Sequence, residues 1–225
     1  MPNYVMRIWL SDRPGAFGRL ATTIGDVGCD LVGIDILERG DGRAIDELTL
    51  ELVDETVVPK LLHALSLVDG VDVEDIRSVV GGLPFPLHEP LDIAARVLHS
   101  ESVEDLFDTF VTGIAQTFFD WAALVDPDGS VVLARSPGAP SDAWLGAFVT
   151  GTRLAAAAPG AANAASDVAW ATLEVSGHAL LVGRTGRPFR ARERRQLATL
   201  ALVADHRWGE LVLEQSKRSH PARSD

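Results

Sequence analysis

The chain has 225 residues and a formal net charge of −12 at pH 7. This charge disfavours nucleic acids and anionic membrane surfaces as partners, because proteins bind both mainly through clustered Lys and Arg side chains. Hydrophobic residues make up 47% of the sequence, which is enough for a globular core and excludes a wholly disordered chain. The length suits one large domain or two small ones.

Cys29 is the single cysteine of the sequence. An intrachain disulfide is therefore impossible, and a zinc site with several cysteine ligands is excluded. The sequence opens without the basic and apolar segments of a signal peptide, and charges interrupt every apolar run that could span a membrane. We therefore expect a cytoplasmic protein, since this cysteine usage is typical of a reducing compartment.

Hydrophobic periodicity predicts a strand and then a helix at the start of the chain. The strand has an apolar face of alternate residues, namely Tyr4, Met6, Ile8 and Leu10. Asp12-Arg13-Pro14-Gly15 ends this strand and opens the helix, with Asp12 predicted as the N-cap and Pro14 in the first turn. Gly28 is expected to end the helix as its C′ residue.

Three more strands and a second helix complete the first 80 residues. The strands are predicted at 31–37, 44–53 and about 71–79, the helix at 57–65, and turns at 38–43 and 69–70. The order is βαββαβ. Since crossover connections are right-handed, we expect an α+β, ferredoxin-like fold with a four-stranded antiparallel sheet and both helices on one face.

Residues 81–90 contain two glycines and three prolines and are predicted to be a linker that holds no helix. The second half, 91–215, is also predicted to be α+β. Helices are expected at 91–98, at 103–119 and at 192–215, and a further helix is expected to begin after the cap residue Ser141. Strands are expected at 121–125, 130–134, 168–175 and 179–184. A loop is expected at 155–165. Residues 216–225 are predicted to be a disordered tail.

The turn from the first strand to the first helix is the best candidate site. The first N–H groups of a helix have no intrahelical acceptor, carry partial positive charge and suit a carboxylate. Gly15 allows a ligand to approach the backbone, and Asp12 can accept hydrogen bonds from an ammonium group. Such a turn can hold both ends of a free amino acid. A purely structural interpretation, with Asp12 as a cap and Gly15 as a turn residue, stays open.

The Asp12–Gly15 turn, the apolar helix, the segment Gly28-Cys29-Asp30-Leu31 and the βαββαβ order together resemble the ACT domain over about residues 3–80. The resemblance implies a regulatory domain that binds an amino acid between the strand–helix turn of one subunit and the second strand of its dimer mate. It implies ligand-binding residues Asp12, Arg13, Pro14, Gly15, Ala16 and Phe17 on one side, and Asp30, Leu31 and Val32 on the other. Many members with serine-like ligands have Asn where this chain has Asp12 and Asp30, and two carboxylates favour an ammonium or guanidinium group in the ligand.

Three segments of the second half together resemble a reduced GAF domain over about residues 91–215. They are 121–129, the hairpin that ends at 180–184, and 187–193 before the last helix. The resemblance implies small-molecule binding or dimerisation through terminal helices. Because 137–167 is short and rich in small residues, we expect dimerisation or a partner role. One helical stripe is expected to be mainly core, with any exposed remainder marking an interface: Leu197, Leu200, Val203, Trp208 and Leu211.

Motifs of catalysis are missing from the sequence. The six histidines do not pair at metal-binding spacing, and neither a Walker phosphate loop nor a Gly-x-Ser-x-Gly elbow is present. We expect a non-enzymatic homodimer, without cofactor or metal, that senses a small ligand and signals to a partner protein. Two alternatives stay open: a purely structural dimerisation or docking protein without a ligand, and a regulatory subunit of a separate metabolic enzyme.

Overall fold

The computed structural model describes residues 2–79, 88–117, 119–156 and 167–219. These residues divide into two compact units, one with residues 2–79 and 190–192 and the other with the remainder. Each unit has a four-stranded antiparallel sheet. Across all the residues described, no helix combines the length and apolarity that a membrane crossing requires.

The first unit has the element order expected for it. Its elements are β1 (Asn3–Ser11), α1 (Ala16–Asp26), β2 (Cys29–Gly40), β3 (Arg43–Leu52), a 3-10 turn (Glu55–Val57), α2 (Val58–Ser66) and β4 (Val71–Val79). The sheet order is β2-β3-β1-β4, with every neighbouring pair antiparallel. The predicted α+β fold with a four-stranded antiparallel sheet is confirmed.

One face of this sheet forms a core with the two helices, because alternate residues of a strand lie on the same face. The strand residues in this core include Tyr4, Met6, Ile8, Leu10, Leu48, Leu50 and Leu52, all buried. Leu20 and Ile24 of α1 and Leu61 and Leu65 of α2 pack against them. Burying each such leucine or isoleucine contributes roughly 1.5–3 kcal/mol.

The start of α1 differs from the prediction. The expected cap at Asp12 is wrong, since α1 begins at Ala16 and its N-cap is Gly15, which has a left-handed φ of 81°. The Asp12 N–H donates to the Gly42 carbonyl over 2.9 Å, so Asp12 extends the sheet and lies too far before α1 to cap it. Pro14 consequently lies in the turn before the helix and not in its first turn. Gly28 does follow α1 as the predicted C′ residue, with a φ of 82°.

A two-residue turn joins β2 to β3, in place of the predicted turn at 38–43. Asp41 and Gly42 both have positive φ, 51° and 75°, as in the type I′ turns whose twist matches that of paired strands. Residues 38–40 and Arg43 therefore belong to the strands, and β2 begins two residues earlier than expected, at Cys29.

The second unit is a sheet with helices on both faces. Its elements are α3 (His88–Leu98), α4 (Val103–Thr117), β5 (Trp121–Val125), β6 (Val132–Arg135), α5 (Asp142–Ala156), β7 (Val168–Thr172), β8 (Ala179–Gly183) and α6 (Ala191–Ser219), with strand order β6-β5-β8-β7. On β5, Ala122 and Leu124 pack with residues of α3, α4 and α6. Ala123 and Val125 pack with α5 instead, so β5 is buried on both faces.

Several boundaries of the second unit differ from the prediction. Residues 88–90, predicted as linker, form the first turn of α3, where the ring of Pro90 is tolerated. β6 begins only at Val132, because the Asp126 carboxylate accepts the N–H groups of Ser130 and Val131. β7 ends at Thr172, because the Gly177 N–H donates to the Leu173 carbonyl and closes a turn.

Two segments predicted as irregular are partly helical. α5 includes residues 155 and 156 of the predicted loop, and α6 continues through residues 216–219 of the predicted tail. The rest of the predicted linker (81–87), loop (157–165) and tail (220–225) lies outside the described residues.

Candidate functional site

The N-terminus of α1 offers unpaired backbone donors. Within the described part of the chain, the N–H groups of Phe17 and Gly18 have no hydrogen-bond acceptor, whereas the Ala16 N–H donates to the Arg13 carbonyl. Gly15 supplies the cap by its backbone conformation and not by a side chain. The first turn of α1 therefore keeps the positive end of its dipole available to an anion.

Of the two charged side chains between β1 and α1, Asp12 has no hydrogen-bond or ion-pair partner among the described residues, whereas Arg13 is paired with Asp69. Asp12 is exposed, and its carboxylate has no hydrogen bond or ion pair with any described residue. Arg13 donates to Asp69 over 2.5 Å at the surface, where such a pair contributes at most about 1 kcal/mol. Ala16 is buried and Phe17 packs against the core, so only their backbone can meet a ligand.

The second predicted set lies at the start of β2, which is an edge strand. Asp30 is exposed and lies opposite Glu51 of β3. Leu31 lies opposite Leu50 and packs against the core. Val32 is the extra residue of a bulge, because the register shifts between Leu31 and Gly33. Neither Asp30 nor Val32 has its side chain buried.

The two predicted sets are not brought together within one chain. Asp12–Phe17 precedes or opens α1, and Asp30–Val32 follows its C-terminal end. The 11 residues of α1 separate them by roughly 16 Å at 1.5 Å per residue. A ligand touching both sets needs a second copy of the chain, and that arrangement stays a prediction.

The open side of β2 is apolar. Val32, Ile34 and Ile36 are 40%, 48% and 41% exposed. An unpaired strand edge presents backbone donors and acceptors to another chain, and exposed apolar side chains favour such pairing. This edge is a candidate surface for self-association.

Asp46 is a candidate site residue that the sequence analysis did not identify. It lies on β3 opposite Ile8 of β1 and Ile36 of β2. It is 4% exposed, and its Oδ1 atom is buried without a hydrogen-bond partner among the described residues. Burial raises the pKa of its carboxyl group, the charge of Arg39 lowers that pKa, and the charge of Asp12 raises it. The sequence did hold a signal, since Asp46 is in phase with Leu48, Leu50 and Leu52.

The described residues contain no cluster of three His, Cys, Asp or Glu side chains that could hold a metal ion. This end of the first unit offers unpaired amides at α1, an exposed carboxylate at Asp12 and a buried carboxyl group at Asp46.

The family model described as ACT domain matches residues 4–66 of this chain. The match covers β1 through α2 and includes both predicted sets of site residues. It confirms the ACT domain in that part of the chain. The resemblance of the second half to a GAF domain stays a prediction.

Three solved structures are similar to about a third of this chain. The ACT domain of the GTP pyrophosphokinase of Chlorobium tepidum is 18% identical, with 35% of this chain and 100% of that chain covered and a TM-score of 0.29. An uncharacterized protein of Thermotoga maritima is 20% identical, with 34% and 92% covered and a TM-score of 0.26. The C-terminal domain of the MgtC protein of Mycobacterium tuberculosis is 23% identical, with 36% and 88% covered and a TM-score of 0.28. No curated protein matches the chain.

Proposed function

We propose that this protein is a non-enzymatic sensor whose first unit binds a free amino acid at the β1–α1 turn. The ACT domain match over residues 4–66 supports a regulatory role. The unpaired amides of Phe17 and Gly18 suit the ligand's carboxylate, and Asp12 suits its ammonium group. The single cysteine leads us to place this sensor in the cytoplasm.

The observation that carries this proposal is the unpaired carboxylate of Asp12. A helix cap would occupy that carboxylate, but Gly15 already fills the cap position. The aspartate is exposed, three residues before the Gly15 cap of a helix whose donors at Phe17 and Gly18 are also unpaired. An α-amino acid presents an anion and a cation two bonds apart, which complements this pairing of donors and acceptor.

We further propose a homodimer that forms along the apolar edge of β2. This edge has Val32, Ile34 and Ile36 exposed, and the pairing of β2 with another copy would cover them. The same contact would bring Asp30–Val32 of one copy toward the ligand of the other, as the resemblance implies.

For the second unit we propose a GAF-like fold and a role in contacts with a partner or a second copy. The predicted stripe on α6 contributes Leu197, Leu200 and Leu211 to the core. Two leucines on another side of α6, Leu202 and Leu213, are each 62% exposed. Eleven residues apart on a helix, they lie on one face, which supports an interface there.

Thermal unfolding of the full chain with each of the twenty amino acids tests the sensor. We expect at least one to stabilise the protein, by about 2.7 kcal/mol when its concentration is one hundred times the dissociation constant. Asp12→Ala should abolish this stabilisation, because the ammonium group loses its acceptor. Asp26→Ala, which removes an exposed carboxylate at the other end of α1, should retain it.

Two results would contradict the proposal. If no amino acid raises the unfolding temperature, the ligand-free structural alternative is the better account of the chain. If a stabilising amino acid acts equally on wild type and on Asp12→Ala, the ligand binds somewhere other than the β1–α1 turn.

A further inference from the structure

Asp46 is a buried carboxyl group whose Oδ1 atom has no hydrogen-bond partner among the described residues. Its neighbours across the sheet are Ile8 and Ile36, which offer no donor. Arg39 is exposed and forms no ion pair with it. Burying a carboxylate oxygen without a hydrogen bond costs free energy of folding, so the fold would be more stable with an apolar or amide side chain here.

The position of Asp46 links it to the β1–α1 turn. Ile8 is the residue of β1 that lies opposite Asp46. Ile8, Leu10 and Asp12 are alternate residues, so all three lie on the same face of the sheet. Ala16 at the start of α1 packs in the same cluster as Ile8 and Leu10. The charge of Asp12 raises the pKa of the Asp46 carboxyl group. Asp46 therefore lies on the face of the sheet that also carries Asp12 and the start of α1.

Asp46 is also close to the edge of the sheet. β3 is one strand in from the open edge formed by β2. The β2 residue opposite Asp46 is Ile36, which is half exposed. Asp46 is therefore separated from the open edge of the sheet by β2 alone.

We propose that Asp46 binds a second cationic group of the ligand, so that the site selects a basic amino acid over neutral ones. The proposal rests on the proposed function, because the ligand's own ammonium and carboxylate groups are assigned to Asp12 and the α1 amides. A side-chain ammonium or guanidinium group supplies the donor that Oδ1 lacks and compensates its charge. Two carboxylates and two free amides then match a ligand with two cationic groups and one anionic group.

Paired ligands that differ only in the side-chain charge test this selectivity. Isothermal titration of the full chain with lysine against norleucine, and with arginine against citrulline, should give at least tenfold tighter binding of each cationic member. In Asp46→Asn the two members of each pair should bind equally, with norleucine unchanged. Asp26→Asn is the matched control, because it removes one carboxylate outside the site, and should keep the wild-type preference.

The unfolding temperature without ligand separates binding from folding. At pH 7, Asp46→Asn and Asp46→Leu should unfold at or above the wild-type temperature, because each removes a buried charge. A lower temperature in both variants would overturn the proposal by showing that Asp46 holds the fold together. Equal binding of lysine and norleucine to wild type, abolished by Asp12→Ala, would overturn it as well but leave the amino-acid sensor standing. Binding of no amino acid at all would instead refute the sensor itself.

Discussion

Gly15 caps α1 through its backbone, and this leaves the Asp12 carboxylate unpaired. Gly15 caps the helix through a left-handed backbone that costs other residues roughly 1–2 kcal/mol. A Cβ atom here would meet only the Arg19 guanidinium, at 3.7 Å, so the requirement for glycine comes from the backbone and not from crowding. With the cap supplied in this way, Asp12 is not needed for the helix.

His178 in the second unit is a half-buried titratable residue of a different kind. Its ring lies edge-on between Phe107 and Trp208, with both centroid distances 5.5 Å. Its Nδ1 atom is buried without a partner among the described residues. Burial lowers the pKa of His178, and the charges of Asp205 and Asp126 raise it by less.

Stability of the second unit should consequently depend on pH. Because the folded-state pKa of His178 lies below its unfolded value of about 6.5, the unfolded chain takes up the proton first as pH falls. The contribution of His178 is therefore complete above pH 6.5 and is lost between that pH and its folded-state pKa. Urea denaturation from pH 8 to pH 5 should show this decline in the free energy of unfolding.

His178→Phe should make that decline shallower, because the substitution keeps the aromatic packing and removes the proton acceptor. His206→Gln is the control, since His206 is exposed on α6, and should leave the wild-type slope. The explanation fails if His178→Phe and wild type lose stability in parallel as the pH is lowered.

Among the elements of the first unit, β2 is an edge strand with exposed apolar side chains. Natural edge strands are commonly shielded by charges or Pro, but β2 exposes Val32, Ile34 and Ile36 in succession on alternate positions. The bulge at Val32 is the one irregularity near its start. A strand of this kind favours pairing with a second copy.

A charge placed on this edge should prevent self-association. Sedimentation velocity should find the wild type as a dimer and Ile34→Lys as a monomer, because the lysine would lie against its counterpart or against apolar side chains. Leu67→Lys adds the same charge at a residue that is exposed in the loop after α2, and should remain a dimer. A dimeric Ile34→Lys variant would show that the interface lies elsewhere.

The sequence was most informative for whole elements. β1 and β3 were predictable because their apolar residues alternate, and Gly28 because a helix C-terminus takes glycine at C′. The cap was missed because Asp12 suits both a helix cap and a sheet extension, and only the partner at Gly42 decides between them. Asp46 was missed because periodicity gives its face but not the lack of a partner there.

At the scale of the whole molecule, each unit buries its own apolar side chains. Leu65 is fully buried in the core of the first unit, and Leu181 in a core of the second. No residue of the first of these clusters is shared with the second. We therefore expect the two units to unfold as two separate cooperative units.

Calorimetry should therefore separate two unfolding transitions. Leu65→Ala should lower the temperature of one transition and Leu181→Ala that of the other. Each substitution should reduce the free energy of unfolding of its own unit by about 2–5 kcal/mol, as expected for removing a buried leucine side chain. The stabilising amino acid should raise the transition that Leu65→Ala lowers. If both substitutions shift one common transition, the chain unfolds as a single cooperative unit and this description is wrong.

Cys29 gives the chain a chemical handle at one end of β2. Its side chain is buried, and burial raises the pKa of the thiol, so little of the reactive thiolate forms in the native fold. A thiol reagent can then label the protein only while the first residues of β2 are detached from β3. Since the sequence has one cysteine, the labelling rate reports the opening of that strand alone, with nothing engineered into the protein.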